Sequence, residues 1–127
     1  MSEFKIMIID DDMSFGYMVT DILNESGNNV SFYESPIEAL EILQRERFDL
    51  IITDYFMPEM TGEELIETFR GFDRKTPIIL QTGYADEVNP IDFINKYNVQ
   101  GYFDKTKGID ELILLIASAR RFASLEN

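Results

Sequence analysis

Five short apolar runs, each followed by a segment of helical periodicity, constrain this chain more than any other feature. "FKIMII" (4–9) precedes a segment in which Phe15, Met18, Val19, Ile22 and Leu23 recur at helical spacing, with Gly27 as a stop. "VSFY" (30–33) precedes a helix that starts at Ser35-Pro36, an N-cap followed by proline at the first position, with Ile37, Leu40 and Leu43 on one face. "FDLIITD" (48–54) leads into a loop with Pro58 and Gly62, then a helix carrying Leu65, Ile66 and Phe69. "TPIILQTG" (76–83) is followed by Val88, Ile91, Ile94 and Tyr97, a short fourth helix poorly started around Pro90. "GYFDK" (101–105) precedes a last helix from about Asp110 to Ala123. Near-continuous apolar strands alternating with helices imply a parallel sheet covered on both faces. Right-handed crossovers leave few topologies, and the doubly wound order 2-1-3-4-5 suits five strands of this size.

That order decides where chemistry can occur. The switch point lies between the first and third strands, and ligands bind there at the carboxyl ends of the strands. The first strand ends in Asp10, Asp11 and Asp12, the third in Asp54, the fourth in Thr82 and the fifth in Lys105. Tyr33 and Glu34 end the second strand, which lies at the sheet edge. Three consecutive carboxylates repel one another, by about 1 kcal/mol per pair at ~4 Å in water. Such a run is either solvated or faces a cation. Asp54 alone reads equally well as the cap of a turn. Beside a cation at a switch point, it reads as a nucleophile that forms an aspartyl-phosphate. Asp10, Asp11 and Asp54 make up the few carboxylates that Mg²⁺ prefers alongside water and phosphate oxygen. Asp12 points away and caps the first helix. Lys105, the basic group at this rim, can neutralise the acids and hold a phosphoryl oxygen, and the Thr82 hydroxyl can donate to another.

Composition removes competing chemistries. The 127 residues, 45% apolar, fit one domain spanning 1–127. There is no Cys and no His, so thiolate and imidazole metal sites and a Ser-His-Asp triad are excluded. A net charge of −13 argues against direct contact with nucleic acid or an anionic membrane. No apolar stretch reaches about 18 residues, and the start lacks the regions of a signal peptide, so a cytoplasmic location is the default.

With these residues in view, the chain resembles a response-regulator receiver domain from Lys5 to about Phe122. The matching pieces are "IIDD" (8–11), "DYFMPEMTG" (54–62), "LQTGY" (80–84) and "GYFDK" (101–105). The second is the most specific. The resemblance implies a flavodoxin-like receiver fold of five strands and five helices. It makes Asp54 the phosphoacceptor, supplied by a phosphohistidine on a sensor histidine kinase or a phosphotransfer protein. Asp10 and Asp11 would hold Mg²⁺ with the Phe56 backbone carbonyl, and Lys105 would bind the phosphoryl group. Thr82 would be the switch hydroxyl and Tyr102 the aromatic that moves with it. The change would reach the face made by the fourth helix, fifth strand and fifth helix. Such a domain catalyses only its own phosphorylation and dephosphorylation. One position departs from the family, which usually has a cis proline after the lysine. Here it is Thr106, for which a trans bond is expected.

Two further expectations follow. Phe56 and Tyr84 flank the phosphate position and would hinder water. "LILLIA" (112–117) is apolar nearly all round, which points to a homodimer or partner contact through the fourth and fifth helices. Two rivals stand beside the receiver. One is a phosphatase of the haloacid-dehalogenase type, with Asp10 as nucleophile and Asp12 completing a D-x-D motif. The other is an inert receiver-like interaction module.

Overall fold

The computed structural model describes residues 3–83 and 89–125. Its strands are β1 (Lys5–Ile9), β2 (Asn29–Tyr33), β3 (Leu50–Asp54), β4 (Ile78–Thr82) and β5 (Gly101–Asp104). Its helices are α1 (Met13–Glu25), α2 (Pro36–Leu43), α3 (Gly62–Arg70), α4 (Pro90–Tyr97) and α5 (Ile109–Leu125). All strand pairs are parallel and the order is β2-β1-β3-β4-β5, as the alternation predicts.

The strand sequences explain this sheet. Every residue of β3 and β4 is buried, and so are Ile6 to Ile9 of β1. Strands buried on both faces need apolar residues at consecutive positions. Alternate residues then feed two cores. Met7, Ile9, Ile51, Ile78 and Leu80 pack with α2 and α3 residues such as Leu40, Leu65, Ile66 and Phe69. Ile6, Ile8, Leu50, Ile52 and Phe103 pack with Val19 and Leu23 of α1 and with Leu112 and Ile116 of α5. β2, at the edge, is only half-buried.

Helix starts are set by side-chain caps. Asp12 Oδ1 accepts the Phe15 N–H at 3.1 Å, and the Ser35 hydroxyl accepts the Glu38 N–H at 3.2 Å. Thr61 and Glu64 form a reciprocal capping box at α3. The fourth helix is better started than its sequence suggests. Asn89 Oδ1 accepts the backbone N–H groups of Ile91 and Asp92, with Pro90 at the first position. Val88, assigned to that helix from sequence, lies outside the described residues. Gly62 belongs to the first turn of α3 rather than to the loop before it.

Three helical faces differ from expectation, and in α1 it is Met18 that is exposed while Val19 and Leu23 are buried. Ile37 is exposed while Ala39, Leu40 and Leu43 carry the contact of α2. Ile91 and Ile94 are exposed, and Tyr97 is the buried residue of the α4 set. No helix among the described residues is long and apolar enough to cross a membrane.

Candidate functional site

The carboxyl edge of β1 and β3 gathers the acids. Among the described residues, Asp10, Asp11 and Asp54 are the one group whose carboxylate oxygens lie within 4.8 Å of one another in a way that suits a metal ion. Asp10 and Asp54 are buried, and Asp11 is exposed at the mouth. Strand geometry fixes the buried pair. Asp54 is the last residue of a fully buried strand, and Asp10 directly follows the buried run Ile6 to Ile9, its N–H bonded to the Tyr33 carbonyl at 3.1 Å.

Lys105 enters from the end of β5. Its ammonium sits 2.6 Å from Asp10 Oδ2 and 3.3 Å from Asp54 Oδ2. It also lies 4.7 Å from the centroid of the Phe15 ring. Cation and ring attract one another at that range. The backbone holds the lysine in place. The Lys105 N–H donates to the Thr82 carbonyl at 2.8 Å. The next residue, Thr106, donates both its N–H (2.9 Å) and its hydroxyl (2.6 Å) to Asp104 Oδ1. No cis peptide bond occurs among the described residues, so the bond before Thr106 is trans, as expected.

The electrostatics follow from burial. Taking a carboxylate out of water favours its neutral form. Burial, reinforced by the charge of Asp10, pushes Asp54 up to about 7, against a partial counter-pull from Lys105. Burial also raises Asp10, although Lys105 and the Asp12 N–H oppose it. For Lys105, burial acts downward, but the bond to Asp10 and the charges of both acids outweigh it and raise the ammonium. Three carboxylates share one ammonium here, so the oxygen-donor set is short of positive charge. Those residues fit a divalent cation of the magnesium class.

An open cleft of about 710 Å³ leads to this cluster, lined among others by Asp11, Phe15, Asp54, Phe56, Thr61 and Lys105. Phe56 packs edge-on against Tyr55, the centroids 4.6 Å apart. Thr82 is fully buried at the end of β4, one strand from Asp54. Tyr102 is half-buried on β5 and opposes Leu80 in register, so Thr82 and Tyr102 share one face of the sheet. Asp12 is the cap expected of it. Tyr84 lies outside the described residues.

Two residues of the cluster went unrecognised in the sequence. Phe15 was read only as helix core, yet it lies against Lys105. Gln81 is fully buried next to Thr82, and its Nε2 donates to Asp10 Oδ2 at 2.9 Å. An amide inside an otherwise apolar strand was the available signal.

The arrangement disfavours the phosphatase reading. Asp10 would have to be its nucleophile, yet it is 0% exposed, and both its oxygens accept bonds from Asp12 N–H, Gln81 and Lys105.

Comparison with known proteins agrees. The family model described as "Response regulator receiver domain" matches residues 6–117. The chain is 32% identical to the probable transcriptional regulator ycf29 of Porphyra purpurea, over 89% of this chain and 54% of that protein. It is therefore similar to about half of that relative. It is 28% identical to sporulation initiation phosphotransferase F of Bacillus subtilis, over 88% of this chain and 90% of that protein. Among solved structures, it is similar to response regulator TrrA of Thermotoga maritima in complex with Mg(2+)-BeF. That match has a TM-score of 0.80 and 25% identity, covering 91% of this chain and 97% of that one.

Proposed function

This chain belongs to the response regulator receiver domain family of two-component signalling, and on that premise we propose that Asp54 is its phosphoacceptor, with Mg²⁺ held by Asp10, Asp11, Asp54 and the Phe56 carbonyl. One observation carries the reading: one half-buried ammonium, Lys105, lies within 3.3 Å of both buried acids at the switch point.

The donor is a phosphohistidine on a sensor histidine kinase or a phosphotransfer protein. An Asp54 oxygen attacks phosphorus and forms the O–P bond of an acyl phosphate. The P–N bond breaks, and its electron pair stays on the imidazole nitrogen. Bound Mg²⁺ would supply the positive charge that lets a carboxylate meet an anionic donor. Asp54 must be ionised to attack, and in the absence of the cation its burial opposes that. Lys105 is the group that turns to the transferred phosphoryl oxygens, whose charge is spread in a loose transition state. Phe56 and Tyr84 restrict the approach of water to the product.

The Thr82 hydroxyl then donates to the new phosphate, and Tyr102 follows it into a second rotamer. This biases the face made by α4, β5 and α5. That face carries exposed Ile91, Leu114 and Phe122, suited to a second copy of this chain. The domain turns over no outside substrate and works in the cytoplasm as a signalling unit.

The test is incubation with a small phosphodonor and Mg²⁺. One stoichiometric, alkali-labile phosphate, absent from Asp54→Ala, is the expected result. Catalytic phosphate release that depends on Asp10 restores the phosphatase reading, and no reaction at all favours an inert module.

A further inference from the structure

Gln81 has no task in the reaction described above. It sits in the middle of the acidic cluster nonetheless, fully buried in β4 between Leu80 and Thr82. Burying an amide is unfavourable unless its polar atoms find partners, and a leucine or methionine would fill the same space without that cost. Gln81 is only half-satisfied. Its Nε2 has Asp10, but its Oε1 is buried with no hydrogen-bond partner among the described residues. Packing alone therefore disfavours this side chain.

What it touches explains it better. β3 stands between β1 and β4, and Asp54 is the register partner of Gln81. The amide thus crosses the strand of the phosphoacceptor to reach Asp10. It meets the same oxygen, Oδ2, that Lys105 holds. The two donors on that oxygen differ in kind. Lys105 is a charge on a flexible stem, shared with Asp54. Gln81 is neutral and anchored in a buried strand.

We propose that Gln81 is a positioning residue, which keeps Asp10 in place and provided with a donor when Lys105 leaves it for the transferred phosphoryl group. This rests on Asp54 being the phosphoacceptor. A buried carboxylate that loses its ammonium needs its remaining donors more, because an unpaired charge in the interior is costly. With Gln81 present, Oδ2 keeps one N–H and Oδ1 keeps that of Asp12. With Gln81 removed, release of Lys105 leaves Oδ2 with no protein donor, so Lys105 is held more tightly on Asp10. Both the cation site and the phosphoryl contact then suffer.

The experiment compares wild type with Gln81→Met, which keeps the volume and removes the donor. Mg²⁺ binding to the unphosphorylated protein is measured by calorimetry, and phosphate uptake by mass spectrometry at saturating Mg²⁺ and small phosphodonor. A Kd for Mg²⁺ weaker by about tenfold, with slower uptake, is expected, since partners that orient metal ligands carry effects of that order. A folded Gln81→Met protein with the Kd and uptake rate of wild type overturns the proposal, even if its melting temperature has dropped. Should the variant not fold, the wild-type side-chain amide decides. Its N–H signals stay protected from solvent exchange on addition of Mg²⁺ and beryllofluoride if Gln81 remains on Asp10, and lose protection if the proposal is wrong. Wild type that takes up no phosphate overturns the phosphoacceptor reading itself. Uptake by wild type with an indifferent Gln81→Met overturns only the role given to Gln81.

Discussion

Burial, more than any neighbouring charge, keeps a proton on Asp54 in the metal-free protein up to about pH 7. Unfolding returns this group towards its ordinary value of 3.8. Between those values the folded chain holds a proton that the unfolded chain releases, so this contribution to stability falls as pH rises through 7. Asp54→Asn, the uncharged isostere, is therefore expected to melt higher than wild type above pH 7, with the gap closing as pH is lowered. Thermal melts of both proteins at a series of pH values, without divalent ions, check this. A constant gap at every pH contradicts it. Asp10, Asp11, Asp54 and Lys105 were legible in the sequence because each ends an apolar run, and a parallel sheet brings such ends together. Gln81 showed only as one amide in an apolar strand, and its role was not legible. Its partner is 71 positions away, and a strand residue just behind the rim reads as core.

Among the elements, α3 abuts the backbone of Asp54, the proposed phosphoacceptor. The Gly62 N–H bonds to the Tyr55 carbonyl at 2.6 Å, and a Cβ at Gly62 would collide with the Asp54 carbonyl oxygen and come within 2.9 Å of the Tyr55 Cα. Backbone cannot yield there as a flexible side chain would. Gly62→Ala should lower the melting temperature and also slow phosphate uptake, because the displaced segment carries Asp54. Thr61→Ala, one residue earlier, should cost about 1 kcal/mol through loss of the capping box, or roughly 4 °C, and leave uptake unchanged. Melting curves and uptake rates on the two variants separate these outcomes. A Gly62→Ala protein with normal uptake breaks the proposed link. Strand identities and the 2-1-3-4-5 order were readable from apolar runs. The exposure of Ile37, Ile91 and Ile94 was not, because helical spacing says which residues share a face and not what that face meets. The start of α4 was hidden in a single side-chain bond, that of Asn89.

For the whole molecule, a charge of −13 sets long-range repulsion against the short-range attraction of exposed Leu114, Phe122 and Leu125 on α5. Charges more than about 8 Å apart are largely screened at physiological salt, so the apolar contact dominates there. Self-association of the phosphorylated protein is expected at that ionic strength, weakening as salt is lowered. Light scattering with and without phosphodonor checks it, and a monomer in both states at every salt concentration counts against it. The last strand supplies the final consequence. Lys105 comes from β5, whereas the acids it bridges come from β1 and β3. During synthesis, both acids have left the ribosome before the residue that neutralises them has been made. On the role proposed for Lys105, a nascent chain short of that residue lacks the group that meets the phosphoryl oxygens, however well its first three strands have paired. On that role, full competence to be phosphorylated waits for the last strand.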